Sequence, residues 1–281
     1  MGLPILGRSL DRGKLAFFLT TFLKEALNLP APRTTSMSTE LLEELVEAGV
    51  HYGHQRRKWN PKMKPFLLEQ KNSIYIINLF ETVKQLDVAA SYLAELAANG
   101  KRILFVGCKR QAQESVREAA EACNQFYINH RWLGGTLTNM STIRKSVQRL
   151  DYLEKLEKSP EKKTMSKKEL AALGRERSKL LRNLEGIRNM EKPPDAVVVV
   201  DSARECIAVK EAQRLNIPVV ALVDTNADPD PIAYPIAAND DALRSIRIIL
   251  QKLIDPVIAA TQGGGKFTPA KRAEMEVVAD V

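Results

Sequence analysis

The sequence predicts an α/β protein: a three-layer sandwich on a parallel sheet, with an antiparallel helical hairpin (a coiled coil) inserted into it. Strand-like apolar runs alternate with amphipathic helical segments, which is typical of parallel β-α-β units. The run AVVVV at 196–200 has no polar face, so it suits a strand that is covered on both sides. Residues 140–192 interrupt the alternation with two long helical repeats, which predict the hairpin.

The elements before residue 140 alternate between helix and strand. A short amphipathic helix is expected from Thr39 to Ala48, because Ser38 or Thr39 can cap it and Gly49 stops it. The β-branched and aromatic run SIYIINL at 73–79 predicts a buried strand. The apolar spacing then predicts a helix at 81–99, a strand at 101–107, a helix at 111–123 and a strand at 126–128.

The elements after residue 192 resume this alternation. The strand at 196–200 is followed by a helix at 206–215, a buried strand at 218–223 and a helix at 241–254, with Asn239 and Asp240 as candidate N-caps. Between the two halves, leucines and isoleucines recur at spacings of three and four on both sides of SPEKKTMS. These spacings predict two helices of ~20 residues, each ~30 Å long. Because the apolar seam is narrow and the outside is charged, the hairpin should project from the sandwich.

The domain organisation follows from these elements. Residues 37–139 and 193–261 are expected to form the sandwich, and residues 140–192 the hairpin insertion. The Gly-rich segment 262–281 is expected to be a mobile tail. Residues 1–36 form an N-terminal extension with an apolar run at 15–23, which is too short to span a bilayer. A secretory signal, an organelle transit peptide and an upstream start codon before Met37 are the three interpretations of this extension.

The charge of the chain favours an anionic partner. The net charge is +8 and the sequence pI is about 9.3. Residues 140–192 contribute 15 Lys and Arg against 8 Asp and Glu, so the hairpin is itself basic. The three cysteines, Cys108, Cys123 and Cys206, have no paired spacing, which argues against a disulfide framework and a zinc site and fits a reducing cytosol.

The segment AGVHYGHQRRKWNPKMKPF at 48–66 is the strongest local signal. It contains no acid, and proline at 61 and 65 argues against a continuous helix. A cluster of like charge is best tolerated where a polyanion neutralises it, and an indole offers a face for a base. We interpret the segment as a rigid basic loop aimed at phosphates; the alternative is a solvated loop with the tryptophan as a buried anchor. The candidate residues are His51, His54, Arg56, Arg57, Lys58, Trp59, Asn60, Lys62 and Lys64.

Two further patterns have competing interpretations. His51 and His54 could be metal ligands on a helix, but Gly49 and Gly53 break a helix there. Because no acid or cysteine lies near them in sequence, we expect no metal. In the run HRWLGGTLTN at 130–139, Arg131 and Trp132 form either a second cation–aromatic pair or, for the tryptophan, a cover over the end of the sheet.

Two acids at strand ends raise the alternative of a magnesium-dependent phosphoryl or nucleotide enzyme. Asp201 follows the strand at 196–200, and Asp224 follows the strand at 218–223. The structural interpretation is that Asp201 caps the helix that starts near Ser202 and that Asp224 organises the turn after it. Glycine-rich phosphate loops and nucleophile elbows are missing from the sequence. We therefore expect a protein that is not an enzyme, with no catalytic residue and no cofactor.

Several long motifs resemble those of the bacterial small-subunit ribosomal protein two family, in the same order. They are AGVHYGHQRRKWNPKMKPF, HRWLGGTLTN, PPDAVVVVD at 193–201, VDTNADPDPIAYPI at 223–236 and ANDDALRSI at 238–246. The resemblance extends from about Ser38 to about Thr261. Departures are small: Ala227 replaces a frequent cysteine, and Ala237-Ala238 replaces a common Pro-Gly pair.

This resemblance implies a flavodoxin-like sandwich in a structural protein of the small ribosomal subunit that takes part in translation. It implies binding to small-subunit rRNA, neighbouring ribosomal proteins as partners and help in docking ribosomal protein one; it implies neither a membrane nor a small-molecule substrate. Relatives usually begin near Met37, which favours the upstream-start interpretation and a cytoplasmic ribosome; a transit peptide would place the protein in an organelle ribosome. The basic loop would contact phosphates, and Lys109, Arg110, Arg131 and Trp132 would extend the RNA-binding surface.

Overall fold

A five-stranded parallel sheet forms the centre of the computed structural model, which describes residues 39–159 and 165–264. Its strands lie in the order β5 (Phe126–Ile128), β4 (Ile103–Val106), β6 (Ala196–Val200), β7 (Val219–Val223) and β8 (Tyr234–Ala237), with the second strand of this sheet in chain order at one edge. That order, 2-1-3-4-5, is the flavodoxin-like arrangement, and it confirms the predicted fold class.

Helices cover both faces of this sheet. The helix α1 (Thr39–Glu47) comes first in the chain. Next come α2 (Leu79–Ala98), which precedes β4, and α3 (Gln113–Ala122), which follows it. After the hairpin come α6 (Cys206–Arg214), which follows β6, and α7 (Leu243–Gly264), which follows β8. Both α2 and α3 pack against α7 on one face. On the other face, Ala208, Val209 and Ala212 of α6 join a buried cluster with alternate residues of β4, β6 and β7. Successive side chains of a strand point to opposite faces of the sheet, so these apolar strands give the sheet two apolar faces.

The inserted hairpin is present as predicted. It consists of α4 (Met140–Lys158) and α5 (Lys167–Leu184), followed by one 3-10 turn (Glu185–Ile187). A capping box starts α5, in which Ser166 and Glu169 satisfy each other's backbone N–H groups. Ion pairs cross between the two helices: Arg149 pairs with Glu176 at 3.0 Å and Arg177 with Glu157 at 2.7 Å.

A second, small sheet was not predicted. It is antiparallel, with the order β1-β3-β2, and consists of β1 (Tyr52–Gln55), β2 (Leu67–Lys71) and β3 (Ile74–Ile77). The run at 73–79 is therefore a strand, but it belongs to this sheet, and within β3 only Ile77 is fully buried. The prediction of a buried strand was wrong for Ile74, Tyr75 and Ile76, which are partly exposed, because one face of a three-stranded antiparallel sheet can face water.

The ends of the described region refine two further predictions. Asn239 caps α7, since its Oδ1 accepts from the N–H groups of Asp241 at 2.9 Å and Ala242 at 3.3 Å. The helix α7 continues through Pro256 to Gly264, beyond the predicted end at 254. The expectations for residues 1–36 and for the tail after Gly264 lie outside the described residues. Among the helices that are described, none combines the length and the apolar character needed to cross a membrane.

Candidate nucleic-acid interface

The basic segment, residues 56–66, folds as two consecutive 3-10 helices, Arg56–Lys58 and Pro61–Phe66. Asn60 begins the second one: its Oδ1 accepts from the N–H of Lys62 at 3.1 Å, and proline follows at the first helical position. The N–H of Asn60 also donates to the carbonyl oxygen of Thr225 at 2.8 Å. The segment is thus ordered by caps and by a contact with the loop after β7, as a rigid loop requires.

Four cations of the basic segment face solvent. Arg56, Arg57, Lys58 and Lys64 are all exposed. Within residues 39–159 and 165–264, none of them forms an ion pair with a carboxylate. Self-repulsion among these charges is therefore left for an external anion to relieve.

Lys62 differs from its neighbours, because the protein's own acids hold it. Its Nζ lies 2.8 Å from Oδ2 of Asp228 and 2.5 Å from Oδ2 of Asp230. Hydrogen bonds to these two carboxylates raise the pKa of Lys62 above its ordinary value. This lysine is less available to a phosphate than Lys64, two residues further on.

Trp59 is partly buried and acts as an anchor. Its ring meets that of Tyr75 edge to face, with centroids 4.9 Å apart. Its Nε1 is buried without a hydrogen-bond partner among the described residues. Met63, in the same segment, is fully buried. These contacts agree better with Trp59 as a buried anchor than with Trp59 as an exposed surface on which a base stacks.

The strand β1 fastens the basic segment to the end of β7. The N–H of His54 donates to Oγ1 of Thr225 at 2.8 Å. A side chain at Gly53 would meet Cγ2 of Thr225 at 2.4 Å and the carbonyl oxygen of Tyr75 at 3.0 Å. Glycine is therefore required here by the close approach of β1 to the loop after β7.

The two histidines occupy different environments. Burial lowers the pKa of His51, whose ring lies 4.0 Å from that of Tyr52. His54 places its Nδ1 3.0 Å from Oδ2 of Asp224 and its Nε2 3.4 Å from Oδ2 of Asp241. A hydrogen bond to Asp224 is the main reason that the pKa of His54 is raised. The histidines are thus turned toward the protein rather than into the exposed cation cluster.

Lys109 is buried in a cluster of carboxylates and departs most from its expected role. Its Nζ lies 3.3 Å from Asp201, 2.7 Å from Asp240 and 2.6 Å from Asp241. Burial by itself would lower the pKa of Lys109, but these carboxylates outweigh it and the pKa is raised. In the sequence, Lys109 stands next to Arg110, which is exposed, and the acids that bind the lysine are far away along the chain. This explains why Lys109 was predicted to be part of the RNA-binding surface.

Trp132 is also internal, and it belongs to a hydrogen-bond network centred on Glu211 of α6. The carboxylate of Glu211 accepts from Trp132 Nε1 at 3.0 Å, from the N–H groups of Gly135, Leu137 and Thr138 at 2.8, 3.0 and 3.2 Å, and from Thr138 Oγ1 at 3.1 Å. Burial would raise the pKa of Glu211, but these donors hold it below its ordinary value. The tryptophan is thus part of the buried cluster, and neighbouring Arg131 is exposed.

The sequence analysis did not single out two residues, Glu211 and Arg204. Glu211 lies three residues after Ala208 on the buried side of α6, and that spacing was its only signal. Arg204, in the loop after β6, is exposed and has no ion pair among the described carboxylates. It lies at the carboxyl edge of the sheet, as do Arg110 after β4 and Arg131 after β5.

Asp201 and Asp224 have structural partners. Asp201 has a φ of 65°, and its Oδ1 accepts from the N–H of Arg204 at 3.0 Å, which organises the start of the loop before α6. Asp224 accepts from the N–H of Thr225 at 2.5 Å and faces His54. Asp201 also lies 3.3 Å from Nζ of Lys109.

The model of the family described as ribosomal protein S2 matches residues 45–260. The chain belongs to the ribosomal protein S2 family. Ribosomal protein S2 is a structural component of the small ribosomal subunit, acts in translation and is not an enzyme. Family membership therefore excludes the alternative of a magnesium-dependent phosphoryl or nucleotide enzyme. It also confirms the family resemblance that the sequence motifs indicated. It also implies rRNA and ribosomal proteins as the classes of partner.

Proposed function

We propose that this S2 family member binds small-subunit rRNA through the exposed, unpaired cations of its basic segment. The observation that carries the proposal is the contrast within that segment. Lys62 is neutralised by Asp228 and Asp230, whereas Arg56, Arg57, Lys58 and Lys64 have no carboxylate partner among the described residues. A surface loop with only a solubility role has no need for four unpaired cations in nine residues on a rigid support.

The anchoring of the segment supports a positioning role. Phosphate contacts fix the orientation of a protein on nucleic acid when the cations themselves are held in place. The contacts of Asn60 and His54 with Thr225, at 2.8 Å each, hold the segment at both ends of its first turn. We assign His51, His54, Asn60 and Trp59 to this support, and the exposed arginines and lysines to the phosphates.

The proposed RNA-binding surface extends along the carboxyl edge of the parallel sheet. Arg110, Arg131 and Arg204 follow β4, β5 and β6, and all three are exposed. The basic segment reaches the same edge, because it is bonded to the loop after β7. We leave Lys62, Lys109 and Trp132 out of this surface, since acidic side chains of the protein itself already bind them.

The hairpin supplies a second basic surface. Its helix α5 carries a shallow groove lined in part by Arg175, Lys179 and Arg182. Arg175 and Lys179 have no ion pair within the described part of the chain. We propose that this face contacts rRNA or a neighbouring ribosomal protein. Help in docking ribosomal protein one is proposed from the family alone, with no residue assigned, and the site of action is the ribosome of the cytoplasm, or of an organelle if residues 1–36 are a transit peptide.

The test is the salt dependence of binding to small-subunit rRNA. The full chain with Arg56→Ala, Arg57→Ala and Lys58→Ala is compared with the wild type in a filter-binding assay. Each lost phosphate contact should reduce the log–log salt slope by about 0.7 to 0.9, so the triple variant should lose about 2 to 3. Its affinity at low salt should fall as well.

A matched control removes the same charge elsewhere. Lys84, Arg117 and Lys252 are paired with Glu81, Glu121 and Glu44, so alanine at these three positions also lowers the net charge by three. The control should keep nearly the wild-type slope. If both triple variants change the slope equally, RNA senses only net charge and the proposed placement is wrong.

A further inference from the structure

Tyr152 is the only aromatic residue in the sequence of the hairpin, residues 140–192, and its side chain faces solvent. It is 52% exposed and lies on the side of α4 that points away from the buried Leu150 and Leu153. Trp59, the ring that the sequence analysis offered to a nucleobase, is instead a partly buried anchor. Tyr152 therefore offers a ring that a base can reach, on a part of the protein that is itself basic.

The ring of Tyr152 rests on a fixed support. The guanidinium of Arg149 lies over one face of the ring, with Cζ 5.4 Å from the centroid. Two nitrogens of this guanidinium donate to the two carboxylate oxygens of Glu176 on α5, each at 3.0 Å. A bidentate pair of this kind holds the guanidinium plane in one orientation. The ring is thus positioned before a ligand arrives, which lowers the entropy cost of binding.

Two lysines without partners flank the ring. Lys145 precedes Tyr152 by seven residues and Lys155 follows it by three, so both lie on the same side of α4 as the tyrosine. Both are exposed, and neither forms an ion pair with a carboxylate in the described part of the chain. A rise of 1.5 Å per residue separates them from Tyr152 by about 10 Å and about 4–5 Å along the helix. Phosphates on either side of a stacked base are within reach of such side chains.

The three acids of α4 all bind arginines that lie outside this helix. The pairs are Asp151 and Glu154 with Arg188, and Glu157 with Arg177. Glu176 of α5 is neutralised by Arg149. The side of α4 that carries Tyr152 therefore combines an open ring with unneutralised positive charge. Single-stranded nucleic acid is bound by this combination, because cations follow the phosphates and rings stack on the bases.

We propose that Tyr152 stacks on an unpaired nucleobase of small-subunit rRNA, with Lys145 and Lys155 at the flanking phosphates. The inference rests on the proposed function, since it takes rRNA as the partner, and it adds the base contact that the basic segment lacks. Proteins reach RNA bases mainly at loops, bulges and ends, where a base can leave its helix. The ligand is therefore a single-stranded segment of the rRNA.

A neighbouring ribosomal protein is the other class of partner that an exposed tyrosine could serve. Lysine is depleted in the centres of protein–protein interfaces, where an anchoring tyrosine would lie. Tyr152 lies instead between two unpaired lysines. The composition around the ring thus favours RNA, and the experiment separates the two partners.

The test measures the affinity of the full chain for small-subunit rRNA by filter binding over a range of salt concentrations. Tyr152→Ala should lower the affinity at least about fivefold at every salt concentration, because one stacked base is lost. The log–log salt slope should stay unchanged, because no phosphate contact is removed. Tyr152→Phe keeps the ring and should bind as the wild type does. Phe80→Ala, which removes a 38% exposed ring at the start of α2, is the matched control and should also bind normally.

The fold should survive these changes on α4, because alanine is the best helix former at an exposed helical position. Circular dichroism checks this before binding is compared. If Tyr152→Ala binds rRNA as the wild type does, the stacking contact is wrong. If that variant also fails to enter the small subunit, Tyr152 contacts a protein instead, which overturns the proposal as well. Equal losses for Tyr152→Phe and Tyr152→Ala would assign the effect to the hydroxyl and would likewise contradict stacking.

Failure of this inference can be told apart from failure of the proposed function. Alanine at 56, 57 and 58 tests the basic segment through the salt slope, whereas Tyr152→Ala tests stacking through a loss of affinity at constant slope. A changed slope in the first variant with normal affinity in the second would leave the proposed function standing and reject the stacking contact. The reverse pair of results would keep the stacking contact and reject the role of the basic segment.

Discussion

Replacement of Glu211 by alanine should be among the most destabilising single changes in this protein. The carboxylate of Glu211 accepts five hydrogen bonds, from one indole N–H, three backbone N–H groups and one hydroxyl. Truncation would leave the buried Trp132 Nε1 and Leu137 N–H without their acceptor. Loss of a buried charged partner costs about 3–5 kcal/mol, and we expect Glu211→Ala to lower the free energy of unfolding by that amount.

Urea unfolding of the full chain, followed by tryptophan fluorescence and circular dichroism, measures this loss. Glu211→Gln keeps the shape of the side chain but has one acceptor oxygen, so it should cost about half as much. Trp132→Phe removes only one donor and should cost about 1–2 kcal/mol. A loss below about 1 kcal/mol for Glu211→Ala would refute the reasoning, because the network would then contribute no more than a surface contact.

The same network sets a pH dependence. The pKa of Glu211 is held below its ordinary value of 4.5, so its contribution to stability is fully present above pH 4.5 and is lost as the pH falls through the lower folded-state pKa. The difference in unfolding free energy between the wild type and Glu211→Gln should therefore shrink as the pH is lowered from neutrality to about 3. A difference that stays constant across this range would contradict the assignment.

Two further predictions concern the basic segment and its support. Lys64→Ala should reduce the salt slope of rRNA binding by about 0.7 to 0.9, whereas Lys62→Ala, in the same 3-10 helix but paired with Asp228 and Asp230, should leave it almost unchanged; equal effects would contradict the ion-pair argument. Gly53→Ala should destabilise the chain by about 1–3 kcal/mol in urea unfolding, because a Cβ would meet Thr225 Cγ2 at 2.4 Å. Gly174→Ala, on α5 with nothing within 4 Å, should instead stabilise it by about 0.5–1 kcal/mol, and a loss of stability there would count against the space assigned to that position.

The sequence was most informative where a physical constraint acts locally. The strands at 196–200 and 219–223 consist of apolar residues without a polar face, and the structure buries all ten. The hairpin was predicted at 140–192 from its leucine spacing; α4 begins at Met140, and α5 ends at Leu184, eight residues before the predicted limit. These features depend on side chains that are close in sequence, and therefore they can be recognised without knowledge of the fold.

Other features were missed because distant contacts decide them. The strand β1 is short and polar, and it forms by pairing with β3 across the basic segment. The strand β8 contains Pro235, which argues against a central strand but is tolerated at the edge position that it occupies.

In the candidate site, too, the position of some residues could be predicted from the sequence and that of others could not. The exposure of Arg56, Arg57 and Lys58 agrees with the charge pattern alone. The burial of Lys109 does not follow from its neighbours in sequence, because the carboxylates that hold it are 92 or more residues away. A cation between two strand-like or helical segments has the same sequence signature whether it faces solvent or an internal acid.

The central claim is that the unpaired cations of the basic segment bind the rRNA of the small subunit. Sedimentation of the tagged full chain on a sucrose gradient with small subunits tests this claim most directly. The wild type and the control with alanine at 84, 117 and 252 should migrate with the subunit, and the variant with alanine at 56, 57 and 58 should remain largely at the top. Equal incorporation of all three proteins, each shown to be folded, would contradict the claim.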